Sequence, residues 1–235
     1  MSKTIFSIKI EPIIFSRENY TMNQRELTST DNIVLNLDRA LRTLFGKPKT
    51  TNRPNPSLNL EEIDLSAKEK DHIARLMRIN HTGEVCAQAL YQGQAFTAKD
   101  KQTKLSMQKS ADEEYDHLQW CEERIKELDG RTSLLNPVWY AGSLLIGLSA
   151  GVIGDKWSLG FVAETEKQVK EHLEDHINQI PEKDQRTSKI LKQMVLDEDQ
   201  HGKKALEHGA ADLPKFLRFA MKVTSKLMTK TVYRI

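Results

Sequence analysis

Cysteine, aromatic residues, glycine and proline are all scarce in this sequence of 235 residues. Two cysteines are too few for a disulfide framework, so we expect Cys86 and Cys121 to be reduced core residues in the cytosol. The low content of glycine and aromatic residues disfavours a β-sheet protein. Glu, Lys, Leu, Gln and Ala dominate long stretches instead, and this composition favours helices.

A large excess of charge of one sign is also lacking, since 35 basic and 33 acidic residues leave a formal net charge of +2. We therefore expect no nucleic-acid partner, because proteins that bind nucleic acids concentrate positive charge. Residues 1–21 contain neither a continuous apolar core nor a small-residue cleavage site, so no signal peptide is predicted. Met22 is an alternative translation start.

Helix start and stop signals predict a poorly structured N-terminal region, 1–57, followed by a helical domain, 58–235. The N-terminal region contains one short amphipathic helix, 31–45, and a Pro- and Asn-rich linker, 46–57. The predicted helices of the domain are 66–97, 101–128, 156–179, 183–208 and 213–233. This pattern predicts an all-α fold, a four-helix bundle with extra N- and C-terminal helices and a hydrophobic connection between its second and third helices.

That hydrophobic connection is the uncharged stretch 137–154. Its 18 residues are near the minimum length of a membrane span. A buried connection across the bundle is one interpretation; we favour a hairpin or helix that lies in a membrane surface or meets an apolar substrate. The last helix supports a membrane contact, because 214–235 carries six Lys or Arg and no acid. A packed helix with a solvated face would show the same pattern.

Glu-x-x-His occurs three times, although 19 Glu and 7 His in 235 residues predict fewer than one occurrence by chance. The three pairs are Glu69/His72, Glu114/His117 and Glu198/His201. Glu69 also completes a capping box with Ser66, which gives the first pair a local structural role. The other two pairs lie on the apolar stripes of their helices, the sides that face a core. A carboxylate and an imidazole buried there need a partner.

The two remaining long helices each place one carboxylate on the inner stripe, Glu84 and Glu166, whereas Glu164 points elsewhere. Glu84 precedes Glu114 by 30 residues and Glu166 precedes Glu198 by 32, so the chain is a twofold pseudo-repeat. Four carboxylates and two imidazoles in a four-helix core match the ligand set of a ferritin-like di-iron or di-manganese centre. Six donors disfavour zinc, which usually takes four. Scattered ion pairs in a bundle are the alternative interpretation.

Four segments resemble the demethoxyubiquinone hydroxylase family of ubiquinone biosynthesis. They are RINHTGEVCAQALYQGQ at 78–94, EEYDH at 113–117, FVAETEKQVKEHL at 161–173 and LDEDQHG at 196–202. LDRALRTLFG at 37–46 is similar to the N-terminal helix of bacterial members, so the resemblance covers about residues 31–235. It implies two iron ions whose ligands are Glu84, Glu114, His117, Glu166, Glu198 and His201. Among these, it implies that Glu114 and Glu198 bridge the ions.

The resemblance also implies a reaction, the O₂-dependent hydroxylation of the demethoxyubiquinone ring, in its quinol form, by a monooxygenase. It implies that His172 joins a network near the metal, with a plain surface histidine as the alternative, and that Leu173 replaces a tyrosine of some relatives. His81 is left unassigned, and no catalytic residue beyond the metal ligands is predicted. The polyprenyl tail of the substrate implies a peripheral protein on the cytoplasmic side of the cell membrane, working with partners of ubiquinone biosynthesis.

Two other functions fit part of the pattern. One is a different ferritin-like activity, either iron oxidation or a di-metal oxidase with another substrate. Iron storage needs neither an uncharged 18-residue insert nor a basic amphipathic helix, so these features count against it. The other is a non-enzymatic bundle at the membrane that binds quinone or lipid. Iron content separates this second alternative from an oxygenase.

Overall fold

The described residues of the computed structural model are 28–46 and 50–235. They form seven α-helices and no β-strand, which confirms the all-α prediction. The helices are α1 (Ser29–Phe45), α2 (Ala67–Thr97), α3 (Lys101–Glu127), α4 (Asn136–Ile153), α5 (Asp155–Gln179), α6 (Gln185–Glu207) and α7 (Lys215–Val232). The predicted helices agree with these bounds to within two residues at each end. The alternative start at Met22 lies outside the described residues.

Side-chain caps explain where several helices begin. Ser66 and Glu69 form the predicted capping box at α2, in which each side chain bonds the other residue's backbone N–H. The carboxylates of Asp100 and Asp184 cap α3 and α6 by accepting from backbone N–H groups that the helix leaves free. Gly209 follows α6 with a positive φ of 89°, a conformation that favours glycine.

Two apolar layers fill the interior of the bundle that α2, α3, α5 and α6 form. The first layer contains Ile73, Met77, Cys121, Ile125, Leu173, Ile190 and Met194. The second layer contains Ala87, Tyr91, Met107, Leu159, Val162 and Ala205. The chain runs from the first layer to the second along α2 and α6, and in the opposite direction along α3 and α5. Polar side chains of all four helices therefore meet in the space between the layers.

The uncharged connection is the helix α4, which packs along α2 and carries the chain from the end of α3 to the start of α5. The packing is close, because a Cβ at Gly147 would clash with the backbone of Leu90. By length and composition α4 is able to cross a membrane, and only 22% of it is buried. Leu145 and Val152 are 64% and 66% exposed, so the alternative of a fully buried connection is wrong.

Part of the predicted linker, residues 50–57, packs against the bundle. Ser57 is fully buried, and the Arg53 side chain reaches acids of both α3 and α6. Residues 47–49 of this linker lie outside the described residues. The proposed domain boundary at residue 58 stays a prediction.

The two cysteines occupy different environments and form no disulfide. Cys121 is fully buried in the first apolar layer, as the sequence predicted. Cys86 is only half-buried and lines a cavity beside α4, so the expectation that it is a core residue is wrong.

Candidate metal centre

Six ionisable side chains from α2, α3, α5 and α6 meet between the two apolar layers. They are Glu84, Glu114, His117, Glu166, Glu198 and His201, and each is 3% exposed or less. The spacing of three residues within each Glu-x-x-His places both of its side chains on one side of a helix. Glu164, which the helical stripe excluded, lies apart from this cluster and accepts a hydrogen bond from Gln168.

The six residues form two overlapping groups of four. One group contains Glu84, Glu114, His117 and Glu198, and the other contains Glu114, Glu166, Glu198 and His201. Within each group, one ligand atom per residue lies within 4.8 Å of the others. Glu114 and Glu198 belong to both groups, which is the arrangement that two carboxylates bridging a pair of metal ions require.

Several buried oxygens and nitrogens of this cluster lack hydrogen bonds among the described residues. They are Oε1 of Glu114, both carboxylate oxygens of Glu198, and Nδ1 of His201. His201 Nδ1 nevertheless lies 2.9 Å from Glu114 Oε1 and 3.4 Å from Glu198 Oε2. Such atoms approach one another without hydrogen-bond geometry and are costly to bury unpaired. Cations between them would satisfy these atoms, so the donor set fits a pair of metal ions.

Each histidine of the cluster is held by an acid from the opposite half of the repeat. His117 donates from Nε2 to Asp197 on α6, over 2.8 Å, and His201 donates from Nε2 to Glu113 on α3, over 2.7 Å. These bonds leave each Nδ1 facing the carboxylates, which is the orientation a metal ligand needs. Sequence reasoning missed both acids, although the signal was present. An acid directly precedes the ligand glutamate in both copies of the motif.

Arg53, in the segment before α2, forms ion pairs with acids on one side of the cluster. Its guanidinium donates to Asp116 and to Asp197, each over 2.8 Å, and lies over the Trp120 ring at 5.0 Å. Asp116 also accepts from the backbone N–H of Thr51, over 2.8 Å. Arg53 has no periodic signal in the sequence, because it lies in the segment predicted as a linker.

Nearby carboxylates raise the pKa of both histidines of the cluster. Burial alone would lower the pKa of His117, but Glu114 and Asp197 raise it well above its ordinary value. Burial would also lower the pKa of His201, but the hydrogen bond to Glu113 and the nearby Glu114 and Glu198 raise it to about 12. A metal ion at Nδ1 would therefore replace a proton that the carboxylates otherwise stabilise.

Among the cluster carboxylates, the pKa shifts of Glu84 and Glu166 are opposite in direction to that of Glu114. Burial and the nearby Glu114 raise the pKa of Glu84 well above its usual range, and burial with Glu198 does the same for the pKa of Glu166. Burial also acts to raise the pKa of Glu114, but His117 holds it well below the usual range. Metal ligands must be deprotonated, so metal binding would be coupled to the release of protons from this cluster.

One carboxylate of the cluster has a phenol beside it. The Tyr91 hydroxyl of α2 donates to Glu166 Oε1, and both side chains are 3% exposed. Burial raises the pKa of Tyr91 well above its ordinary value, so the hydroxyl stays neutral and remains a donor. Glu84, the equivalent ligand of the other half, has no hydrogen bond to a tyrosine among the described residues.

His172, expected in a network near the metal, instead lies beside a cavity. Its ring packs edge-on against His176, with centroids 3.9 Å apart, and His176 donates from Nδ1 to Asn80, over 2.8 Å. Within the described residues His172 makes no hydrogen bond to any of the six cluster residues, and burial lowers its pKa. His81, which the sequence left unassigned, is buried beside the Asn136 side chain.

The cluster is reached from two sides that differ in polarity. On one side, an apolar cavity of about 310 Å³ lies between α2, α4, α5 and α7, with Glu84 in its wall. On the other, a cleft of about 440 Å³ between α5, α6 and the start of α7 has Glu166 and Glu198 in its lining, beside charged residues. These charged residues include Lys167, Lys170, Asp199 and Lys203. The arrangement can therefore admit an apolar molecule from one side and polar species from the other.

Comparison with known proteins supports one family. The family model described as "Ubiquinone biosynthesis protein COQ7" matches residues 71–232, a range that includes all six cluster residues. The 3-demethoxyubiquinol 3-hydroxylase of Dechloromonas aromatica (strain RCB) is 52% identical over 206 residues. That alignment covers 88% of this chain and 99% of the relative.

Relatives from other bacteria carry the same name. The protein of Legionella pneumophila (strain Paris) is 54% identical, over 87% of this chain and 97% of its own length. The protein of Azotobacter vinelandii is 52% identical, over 91% of this chain and 99% of its own length. Both alignments are far longer than any single motif. The chain therefore belongs to the COQ7 family of ubiquinone biosynthesis proteins.

Proposed function

We propose that this protein is an O₂-dependent monooxygenase that hydroxylates the ring of a 3-demethoxyubiquinol at a pair of iron ions. The family match gives the chain a role in ubiquinone biosynthesis, and its relatives are hydroxylases by name. One structural observation carries the proposal: a six-donor cluster, with two residues shared between its halves, borders an apolar cavity at Glu84.

The donor set favours iron for this reaction. Carboxylate and imidazole donors suit iron or manganese, and the excess of oxygen donors over nitrogen disfavours a zinc site. Glu84 and His117 would hold one ion, Glu166 and His201 the other, and Glu114 and Glu198 would bridge them. When bound, the iron pair would supply the redox chemistry that activates O₂.

The residues of the cavity would bind the ring and exclude water. Its volume of about 310 Å³ is in the range of small-molecule sites. Leu90, Val169 and Met221 contribute apolar walls, while Glu84 is the cluster residue that faces the interior. A ring in this cavity would lie against the first half of the cluster, and its tail would leave between α4 and α7.

A membrane surface is the natural source of such a lipid, and we place the protein on the cytoplasmic side of the cell membrane. The outer side of α4 exposes Leu145 and Val152, and α7 exposes Phe216 and Phe219. The six basic residues of 214–235 would contact anionic headgroups. Both helices also line the apolar cavity, so a membrane contact would lie at its entrance.

Sedimentation with anionic phospholipid vesicles tests the membrane contact. Replacing Leu145 and Val152 by Ser removes apolar area from the outer side of α4, so we expect the bound fraction to fall several-fold. Leu58→Ser is the matched control, because Leu58 is 68% exposed but lies outside α4 and α7. Equal binding by all variants would contradict the proposed surface.

The reaction is tested with purified, iron-loaded protein, a chemical reductant and a short-tailed 3-demethoxyubiquinol under isotopically labelled O₂. We expect a product that carries one labelled oxygen on the ring. Expression in a bacterial strain blocked at this step should also restore ubiquinone. Unchanged substrate in both experiments would overturn the proposed function.

The two alternatives give different results in the same experiments. A ferroxidase would consume O₂ with added Fe²⁺ and accumulate ferric product, without hydroxylating the quinol. A non-enzymatic quinone- or lipid-binding bundle would purify without about two irons per chain after loading. Neither a ferroxidase nor a non-enzymatic bundle explains why the cluster borders an apolar cavity and also provides donors for two metals, and a di-metal oxidase with another substrate would leave the 3-demethoxyubiquinol unchanged.

A further inference from the structure

Several glycines lie inside helices of the described residues, where glycine is less stable than alanine. Close packing explains some of them. A Cβ at Gly93 would collide with the backbone of α4, and a Cβ at Gly147 would collide with the backbone of α2. A Cβ at Gly160 would likewise collide with the backbone of Ala211. Glycine at these positions lets two segments approach each other closely.

Gly83 of α2 and Gly142 of α4 have no such packing reason. A Cβ built at either position meets no atom of the described residues within 4 Å, apart from its own helix backbone and its chain neighbours. Neither glycine has a positive φ, so alanine would fit both positions. Their surroundings differ. Gly142 is exposed and lies outside the apolar cavity that Glu84 borders, whereas Gly83 is half-buried and lines this cavity.

Gly83 forms a recess in the wall that α2 contributes to the cavity. Ile79, Gly83, Cys86 and Leu90 are separated by four, three and four residues, so they lie on one side of the helix, and all four line the cavity. Gly83 is the one member of this row without a side chain, so the wall recedes between Ile79 and Cys86. Glu84, the cluster residue in the cavity wall, directly follows Gly83 in the chain.

The recess is open space that a methyl group would fill. Folded proteins leave little space of this kind empty, so a bound molecule is expected to use it. The surrounding wall is apolar, with Ile79 and Leu90 on α2 and Ile146 on α4, and it suits a carbon-rich ligand better than an ordered water molecule. The recess gives such a ligand a place beside the cluster.

We propose that Gly83 is a specificity-determining residue, which keeps this recess free for the ring of the bound quinol so that the ring can lie beside Glu84. The inference rests on the proposed function. A methyl substituent of the ring equals the side chain of alanine in size, so it fits the space that alanine would occupy. Any side chain at position 83 would take up volume that the ring needs.

Substitutions of graded size test the recess. Gly83→Ala adds one methyl group and Gly83→Leu fills the recess, while the same substitutions at Gly142 add the same atoms outside the cavity. Calorimetry measures the binding of a short-tailed 3-demethoxyubiquinone to the iron-loaded protein. We expect Gly83→Ala to weaken this binding about fivefold and Gly83→Leu at least about fiftyfold, because overfilling a packed site is costly. Neither Gly142 variant should change the binding.

Stability and iron content separate an effect on the ring from damage to the helix. Alanine stabilises a helix relative to glycine, so Gly83→Ala and Gly142→Ala should both raise the thermal midpoint. Both variants should keep the iron content of the wild type. Weaker binding by a protein that is more stable and holds its iron is a result that a purely structural role of Gly83 would not produce.

Trimmed analogues test whether the ring itself occupies the recess. Analogues that each lack one methyl or methoxy group of the ring are titrated into the wild type and into Gly83→Ala. One of them should bind both proteins about equally, because the methyl group of the new alanine takes the place of the missing substituent. An equal loss with every analogue would overturn the proposal, since the added methyl group would then act without contacting the ring.

The outcomes separate this inference from the function on which it rests. If the wild type binds and hydroxylates the quinol and Gly83→Leu binds it equally well, the role of Gly83 is refuted and the function stands. If the wild type neither binds nor hydroxylates it, the function and the inference fail together. A loss that grows from Gly83→Ala to Gly83→Leu, with unchanged binding in both Gly142 variants, supports the recess.

Discussion

The two halves of the cluster carry the same ligand types in different surroundings. The first half, which contains Glu84 and His117, borders the apolar cavity, and the acid behind its histidine is bonded to Arg53. The second half, which contains Glu166 and His201, borders the charged cleft. Only Glu166 accepts a hydrogen bond from a buried tyrosine among the described residues. We infer that the repeated features hold the metals, and that the differences direct the substrate to the first half.

The largest expected effect concerns the residues that the halves share. Glu114→Ala and Glu198→Ala each remove a donor that belongs to both groups of four, so both should abolish hydroxylation and reduce bound iron below two ions per chain. Metal analysis of the purified proteins and complementation of a blocked strain measure these effects. If either variant retained two irons and full activity, the description of two halves joined by bridging carboxylates would fail.

Glu164→Ala is the control for both variants. Glu164 lies two residues from Glu166 on the same helix, but it belongs to neither group and bonds Gln168. It should therefore keep the iron content and activity of the wild type. A loss as large as that of Glu198→Ala would mean that the helical stripe selected the wrong carboxylate on α5.

The next prediction compares the acids that hold the two histidines. Asp197→Asn and Glu113→Gln each replace a carboxylate that accepts from a ligand histidine, a change that typically costs 10- to 100-fold in metal affinity or activity. We expect the larger loss for Asp197→Asn, because the Asp197 side chain is 8% exposed and also binds Arg53, whereas that of Glu113 is 22% exposed. Competition with a chelator measures the affinity. Equal losses would show that burial does not distinguish the halves.

The six residues that meet in the cluster were predictable because residues on one side of a helix recur with a regular period. Glu84, Glu114, Glu166 and Glu198 each lie on an apolar stripe, and the repeat distance relates the two halves. The same stripe excluded Glu164, and the spacing of Ser66 and Glu69 assigned Glu69 to a capping box, which the structure contains. Helix bounds were equally accessible, since caps and glycines act over only a few residues.

Contacts between distant segments were not predictable from the same signals. Asp197 contacts His117, which is 80 residues away in the sequence, and Arg53 contacts Asp197 over a separation of 144 residues. Local periodicity contains no information about such pairs. Arg53 lies in a segment without helical pattern, so it was assigned to a linker. His172 was expected near the metal, but it lines the cavity, which depends on the packing of α4 against α2.

A pH experiment examines the apolar side of the molecule. Burial, together with His172 and His72, lowers the pKa of His176 to about 2. The unfolded chain therefore binds a proton below about pH 6.5 that the folded chain does not bind until about pH 2. This contribution to stability is constant above pH 6.5 and declines as the pH falls, by roughly 2 kcal/mol between pH 7 and pH 5.

Urea unfolding of the metal-free protein at several pH values measures this decline. His176→Gln removes the titrating group and should lose less stability than the wild type over the same range, whatever the other groups contribute. Parallel curves for the two proteins would show that His176 is not held neutral. The effect belongs to the apolar side, because the ring of His172, which packs on His176, lines the cavity.

The smallest expected effect tests the one tyrosine that distinguishes the second half. Tyr91→Phe removes the hydroxyl that donates to Glu166 and should cost about 1 kcal/mol of stability. It should also weaken the binding of one of the two metal ions a few-fold, since Glu166 would lose its fixed orientation. Cobalt titration followed by absorbance can resolve unequal sites. Tyr140→Phe is the matched control, because the Tyr140 hydroxyl is also buried but donates to Gln92. Tyr140→Phe should lower stability by a similar amount and leave the binding of both metal ions unchanged. If Tyr91→Phe weakened the binding of both metal ions equally, the phenol would support the cluster as a whole. The proposed difference between the halves would then rest on the cavity and the cleft alone.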